Sequence, residues 1–303
     1  GMDVENYDTL LNTWAHLFDN THKDNKQKNE TDFSGWMSAI DGNPFSADVM
    51  NDWLDSTIRS IMAEANQNLI TEKKLKVLEI GCGTGLILFK ILNFCSQYVG
   101  TDISIEILHG LKNKLSNEYN KKVNLIHCSA ENTLNKVQGP FDLIVLNSVC
   151  QYFPNQEYLE KVLNDLSTLL SEQGVIFVGD TRSLHLSKKL YERAADFQVK
   201  EGMIDQRDVR SFISTKEFFD NELLVSPLFF RNLSTTLDLN YFISPRLDAL
   251  NTELSSFRFN ATFMHKTLKD DKKFKHFAWK DLDDLKEICI LMSHTEETFI
   301  IDK

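Results

Sequence analysis

The sequence predicts an α/β fold, doubly wound, with a seven-stranded mixed sheet and helices on both faces. Three observations predict it. Five β–α repeats follow one another in register, short apolar runs alternating with stretches of helical spacing. The first run, Lys76 to Ile80, leads into Gly81, Gly83 and Gly85 before an apolar helix opens at Leu86. Glycines spaced in this way permit a tight turn at positive φ and let a ligand approach the main chain. Two more strand-like runs come after a long insertion and bring the sheet to seven.

Taken in order, residues 3–20 carry Leu10, Leu11, Trp14, Leu17 and Phe18, the pattern of an amphipathic helix. Thr21 to Asp32 is a polar, lysine-rich link, and Val49, Trp53, Ile58 and Ile61 mark a helix leading to the first strand. Tyr98 to Thr101 is a second strand ending at Asp102, and Ser104 is placed to cap the helix of Ile107, Leu108, Leu111 and Leu115. Val123 to His127 is a third strand, leading to Ala130-Glu131; Phe141 to Leu146 is a fourth, ending in Asn147-Ser148. Tyr158, Leu159, Val162, Leu163, Leu166, Leu169 and Leu170 repeat at helical spacing. Gly174 then turns the chain into a fifth strand, Val175 to Val178, ending at Gly179-Asp180.

About fifty residues precede the next strand, too many for a plain loop. They hold a helix from Leu184 to Phe197, a capping box at Ser214-Thr215-Lys216-Glu217, and Ser226-Pro227 as cap and first helical residue. Strands resume at Thr236 to Phe242 and Phe257 to Phe263, and a last helix opens at Asp281 and includes Leu282, Leu285 and Ile288. The organisation is therefore 1–74, an N-terminal helical segment with its polar link at 21–32; 75–183, a ligand-binding core; 184–235, a helical insertion forming a lid with the N-terminal segment; and 236–303, strands and a helix completing the core.

The 303 residues are 42% hydrophobic, enough for one large core plus a lid. A formal net charge of −11 disfavours a nucleic-acid backbone as main partner. No apolar run approaches the length of a membrane helix, and no signal-peptide pattern is present. Gly1 before Met2 reads as an expression scar. Cys82, Cys95, Cys128, Cys150 and Cys289 form no C-x-x-C pair and read as reduced thiols of a cytoplasmic protein; the histidines are scattered and suggest no metal site.

The glycine loop does not suit a dinucleotide, because the place of the last glycine in G-x-G-x-x-G is taken by Leu86. Asp102 is positioned to accept hydrogen bonds from both hydroxyls of a ribose, a role favoured over capping because Ser104 serves as the cap. The run from Glu79 to Gly85, E-x-G-x-G-x-G, resembles that of class I S-adenosylmethionine-dependent methyltransferases, which are Rossmann-like.

Further motifs resemble the methyltransferase domain of nonribosomal peptide synthetases: Phe33-Ser34-Gly35-Trp36, then Pro44, then Met50-Asn51-Asp52-Trp53. The most specific run is Asn147-Ser148-Val149-Cys150-Gln151-Tyr152-Phe153-Pro154. Gly179-Asp180-Thr181-Arg182, Pro227-Leu228-Phe229-Phe230 and Glu253-Leu254-Ser255-Ser256-Phe257-Arg258 follow. The similarity spans roughly Phe33 to His265, with Thr252 where Asn is usual and Phe259 where Tyr is usual. The chain resembles that domain standing alone, without an adjoining carrier motif.

The resemblance implies S-adenosyl-L-methionine as cofactor and S-adenosyl-L-homocysteine as product. It implies cofactor contacts at Trp36, Glu79, Gly81, Cys82, Gly83, Gly85, Asp102, Ile103, Ala130, Glu131 and Asn147, although Trp36 serves equally as filling for the lid. The ends of strands four and five should face the acceptor. There Gln151 or Tyr152 orients the nucleophile and Asp180 holds an ammonium or accepts its proton, whereas Arg182 and Arg258 read as structural ion-pair partners. The acceptor implied is small, amino-acid-like or peptide-like, methylated at nitrogen and free or carrier-tethered. Methylation of oxygen, sulfur or carbon, or a non-catalytic cofactor-binding module, are the alternatives.

Overall fold

The computed structural model describes residues 9–11, 13–16, 19, 32–33, 35–65 and 74–266, with the backbone of 66–68, 275–278 and 299–302. The predicted link, apart from Asp32, and the predicted helix from Asp281 lie outside these residues.

One sheet organises residues up to His265. Its strands are β1 (Leu75–Ile80), β2 (Cys95–Asp102), β3 (Val123–His127), β4 (Phe141–Asn147), β5 (Leu170–Arg182), β6 (Leu239–Pro245) and β7 (Arg258–His265), in the order β3-β2-β1-β4-β5-β7-β6. β1 to β5 are parallel; β7 runs antiparallel between β5 and β6. The sheet is thus open, seven-stranded, mixed and Rossmann-like. Its order reverses between β1 and β4, and open sheets of this kind bind ligands outside the carboxyl ends of the strands at that point.

Alternation along the strands sends side chains into two cores. On one face Leu78, Ile80, Ile144, Leu146, Ile176 and Val178 pack with Leu159, Val162, Leu163 and Leu166 of the helix Gln156–Ser167. On the other face Val77, Tyr98, Leu143, Val145 and Phe177 meet Ile61 of the helix Ala47–Asn68, Leu88 of Leu86–Ile91 and Leu111 of Ile105–Lys114. β4 is buried along its whole length. Burial on both faces explains why these strands read as continuous apolar runs.

Several sequence expectations need correction. β5 begins at Leu170, so Gly174 lies within it, and the preceding helix stops at Ser167. The cause is pairing: Leu170 is registered with Phe141, whose N–H donates to the Leu169 carbonyl at 2.8 Å, so these leucines serve the sheet. β5 also continues past Asp180 to Arg182, because one extra residue on β5 relative to β7 between Val178 and Thr181 makes a bulge. Lastly, Ser214 to Glu217 is interior to the helix Val209–Phe219, since Phe212 and Ile213 upstream already follow its period. The Ser226 cap and Pro227 stand as expected, with Ser226 accepting from the Leu228 N–H at 3.2 Å. That helix runs on to Leu237 and ends at Asp238, whose φ is 55°, so β6 starts later than expected.

Beyond His265 a second unit contains a two-stranded parallel sheet of its own, β8 (Lys275–Ala278) with β9 (Phe299–Asp302).

Candidate active site

The glycine loop connects β1 to the helix at Leu86. Gly81, Gly83 and Gly85 have φ of 67°, 52° and 89°, values that favour glycine. Two of them are required for different reasons. A Cβ on Gly81 would lie 2.5 Å from Cγ2 of Val149, so there the loop packs against the chain leaving β4. A Cβ on Gly83 would meet nothing within 4 Å, so there the positive φ alone favours glycine and the main chain faces open space.

Asp102, buried at the end of β2, braces this loop. Its Oδ2 accepts from the Gly83 N–H and its Oδ1 from the Ser104 N–H, each at 2.9 Å. Ser104 caps the following helix by accepting from the Ile107 N–H at 3.1 Å. Glu79 is buried beneath the loop, where its carboxylate accepts from the Tyr98 hydroxyl. Burial, and then the charge of Asp102, hold the Glu79 carboxyl well above its ordinary range. Cys82, also buried, is pushed up by burial and by the same carboxylates, so it remains a thiol. On the rim, the N–H of Glu131 donates to the Tyr158 hydroxyl at 3.3 Å, and Ile103 and Ala130 pack against the main core.

The ends of β4 and β5 form the second wall. Ser148 and Asp180 both sit at positive φ, 56° and 58°, a conformation costly for residues with a Cβ and concentrated at functional sites. They support each other. The Ser148 N–H donates to the Gly179 carbonyl at 3.1 Å, and the Ser148 hydroxyl donates to Oδ2 of Asp180 at 2.6 Å. The Asn260 side chain takes up the Asp180 N–H at 3.0 Å. Because Ser148 spends its only proton on Asp180, its oxygen must accept from Asn147 Nδ2, at 3.2 Å. That orientation leaves Asn147 Oδ1, like Gln151 Oε1, buried without a hydrogen-bond partner.

Asp180 is fully buried between two guanidiniums. Arg258 Nη1 donates to its Oδ2 at 2.6 Å, and Arg246 Nη1 stands 3.5 Å from its Oδ1, an ion-pair distance without a hydrogen bond. Arg246 also donates to Trp53 O at 3.0 Å and to Thr57 Oγ1 at 3.2 Å, which ties this wall to the helix Ala47–Asn68. Arg182 turns to the insertion, pairing with Asp220 and Glu222 at 2.8 Å. The segment it grips also donates from the Leu223 N–H to the Gln151 carbonyl at 2.7 Å.

Residues 9–19, helical where described, reach the site at two points. The Trp14 ring lies 4.8 Å from that of Tyr152, and Asp19 accepts from the Ser104 hydroxyl. This segment therefore reaches from the end of β4 to the end of β2. Burial pushes the Tyr152 phenol up to about 12, so it stays protonated.

Trp36 packs on Trp53, ring centroids 4.5 Å apart, in a satellite core with Phe33, Met50, Leu86 and Leu254. Glu253 secures it, accepting from the Ala39 N–H and the Ser38 hydroxyl at 2.8 Å. Thr252 caps the short helix Glu253–Ser256, the task Asn also performs well.

The structure thus brings Glu79, Gly81, Cys82, Gly83, Gly85 and Asp102 around one loop, and Asn147, Gln151, Tyr152 and Asp180 along the neighbouring edge. Sequence reasoning passed over Ser148 and Arg246. Ser148 stood inside the most specific motif, whereas Arg246, just beyond a predicted strand, carried no signal of its burial.

Residues 78–176 match the family described as Methyltransferase domain. The chain is 37% identical over 267 residues to nonribosomal peptide synthetase TES of Alternaria alternata, covering 83% of this chain and 5% of the synthetase. It is 31% identical over 284 residues to peramine synthetase ppzA of Metarhizium majus, covering 88% of this chain and 10% of that one. The chain therefore spans a tenth or less of the length of these curated relatives. Among solved structures it resembles magnesium protoporphyrin IX methyltransferase (ChlM) from Synechocystis PCC 6803 with bound SAM. That match has a TM-score of 0.51 at 13% identity, covering 87% of this chain and 98% of the other, and it shows the fold. The chain carries a methyltransferase domain of the Rossmann-like class. Within that class it is homologous to a segment of the nonribosomal peptide synthetases.

Proposed function

We propose that the protein is an S-adenosyl-L-methionine-dependent methyltransferase acting on the amino nitrogen of a small amino-acid-like or peptide-like acceptor, free or tethered to a carrier. S-adenosyl-L-methionine is the cofactor, and it supplies an electrophilic methyl on a sulfonium. The open main chain at Gly83, the braced Asp102 and the buried Glu79 fit its amino-acid and adenosine ends. Trp36, Ile103, Ala130 and Glu131 complete the cofactor assignment, and Asn147, at the end of β4, stands between cofactor and acceptor. The nonribosomal peptide synthetase relatives support an acceptor delivered as an acyl group.

The observation that carries the nitrogen reading is the pair of buried, unpartnered oxygens Asn147 Oδ1 and Gln151 Oε1 at the end of β4. Such atoms call for an N–H donor, because leaving them unpaired costs about 1–3 kcal/mol each. An amine keeps N–H bonds while its lone pair attacks. A deprotonated alcohol or thiol has none. In the transfer the nitrogen lone pair forms the N–C bond, and the S–C pair leaves on sulfur as neutral S-adenosyl-L-homocysteine. The spare proton of the product passes to water. Tyr152 orients the acceptor as a donor, and Asp180 holds the wall through Ser148 and Arg258. Its Oδ2 already takes two hydrogen bonds and its Oδ1 faces Arg246 at 3.5 Å, which favours this structural role. Positioning of this kind is worth up to ~7–11 kcal/mol.

The test is a mass-spectrometric screen for the gain of one methyl, with free amino acids, aminoacyl thioesters and aminoacylated carriers as acceptors. N-methylation is expected. Transfer only to a phenol, thiol or carbon overturns the nitrogen reading, and cofactor binding without any turnover overturns the enzyme.

A further inference from the structure

Three arginines meet at the ends of β5 and β7, and they differ in what they have left to give. Arg182 uses Nη1 and Nη2 on Asp220 and Nη1 again on Glu222, at 2.8–2.9 Å. Arg246 is wholly buried and uses Nε, Nη1 and Nη2 on Asp248, Thr57 and the Trp53 carbonyl. Arg258 is the exception. Its side chain is 16% exposed, and among the described residues its one hydrogen bond runs from Nη1 to Asp180. A guanidinium carries five N–H donors in a planar fork, so the Nε and Nη2 edge of Arg258 is unspent.

Arg258 itself stands beside Asp180, at the wall assigned to the acceptor. Arg258 opens β7 beside the Asp180 bulge, and its charge acts on the Tyr152 phenol and on Glu222. The surrounding charge decides what the edge can bind. Three guanidiniums, Arg182, Arg246 and Arg258, stand against four carboxylates, Asp180, Asp220, Glu222 and Asp248. A further free carboxylate would add like charge beside Asp180 and Glu222. An uncharged carbonyl oxygen would not, and it accepts a hydrogen bond from a guanidinium well.

We propose that Arg258 is a specificity-determining residue that donates from its free edge to the acyl carbonyl oxygen of the acceptor. It would thereby select an α-amino thioester or amide over the free amino acid and over an amine with no acyl group. This rests on the nitrogen-acceptor reading above: the unpartnered oxygens of β4 hold the amine end and Arg258 the carbonyl end.

The experiment starts from the amino acid whose N-acetylcysteamine thioester the wild type methylates best. Four acceptors are compared: that thioester, the amide, the free acid and the amine lacking the acyl group. Wild type, Arg258→Lys and Arg258→Gln are assayed for KM and kcat, and S-adenosylhomocysteine affinity is titrated separately. Loss of one charge-assisted hydrogen bond should raise KM for the thioester and the amide about ten- to a hundredfold in Arg258→Gln. KM for the bare amine should rise much less, so that the preference for thioester and amide over the bare amine shrinks, and the affinity for S-adenosylhomocysteine should not change. Arg258→Lys keeps a cation for Asp180 but lacks the fork. It should fold even where Gln does not, and should lose part of the same preference. A folded variant with an unchanged preference for thioester and amide, or one weakened equally toward all four acceptors, overturns the role of Arg258 alone. If the wild type methylates no amine, the nitrogen reading falls and this inference with it.

Discussion

Asp102 and Glu79 show two ways a carboxylate serves one loop. Asp102 braces Gly83 and Ser104, one through each oxygen, at the end of β2 where the proposed ribose would lie. Two charge-assisted bonds set the scale for its removal, so Asp102→Ala should lose about 2–4 kcal/mol, ~30- to 1000-fold in affinity for S-adenosylhomocysteine. Isothermal titration with circular dichroism as the folding control measures this, and unchanged affinity in a folded variant would place the cofactor elsewhere. Glu79 is buried, so its effect is felt in stability. Because its folded carboxyl is raised, the native state keeps a proton that the unfolded chain releases. The associated stability is present in acid and declines as pH climbs above the ordinary value of 4.5 toward the raised one. Glu79→Gln keeps the shape and an acceptor for Tyr98. It should melt higher than wild type at pH 8, with the gap closing as pH falls; a gap independent of pH contradicts the shift.

At the scale of elements, the bulge in β5 and the N-terminal segment do what no single residue can. The bulge turns Asp180 out of the ladder so that Ser148, Arg246 and Arg258 meet it from three different parts of the chain. The N-terminal segment buries Leu11 in the main core and lays Trp14 on Tyr152. Deleting residues 2–32 should therefore lower kcat/KM about tenfold or more by loosening the acceptor wall. The melting temperature should fall by only a few degrees, because among the described residues of the segment Leu11 alone is buried in the main core. Steady-state kinetics beside thermal melts decide it, and full activity in the shortened chain removes the segment from the lid. Most elements were legible beforehand because their periodicity is local: β3 begins and ends at Val123 and His127 as read, and Ser226-Pro227 opens its helix. The misread ones depended on partners. Leu169 and Leu170 fit a helical period equally well, and only the neighbouring Phe141 commits them to the sheet.

For the whole molecule, the order β3-β2-β1-β4-β5-β7-β6 gathers the glycine loop and the ends of β2, β4 and β5 along one edge. The scattered motifs also turn out to be a few assemblies. Phe33, Trp36, Met50, Trp53 and Leu254 form one satellite core, and Glu253 fastens the turn at Ser38 to it. By itself the sequence determined the fold class, the glycine loop and the position of Asp102, because strand alternation, helical spacing and positive-φ glycines are properties of neighbours along the chain. Only the tertiary structure decided which charge meets which. Asp180 is far in sequence from Arg246 and Arg258, and nothing local marks them as partners. Ion pairing depends on distance in space and on exclusion of water, and both exist only once the sheet has closed over them.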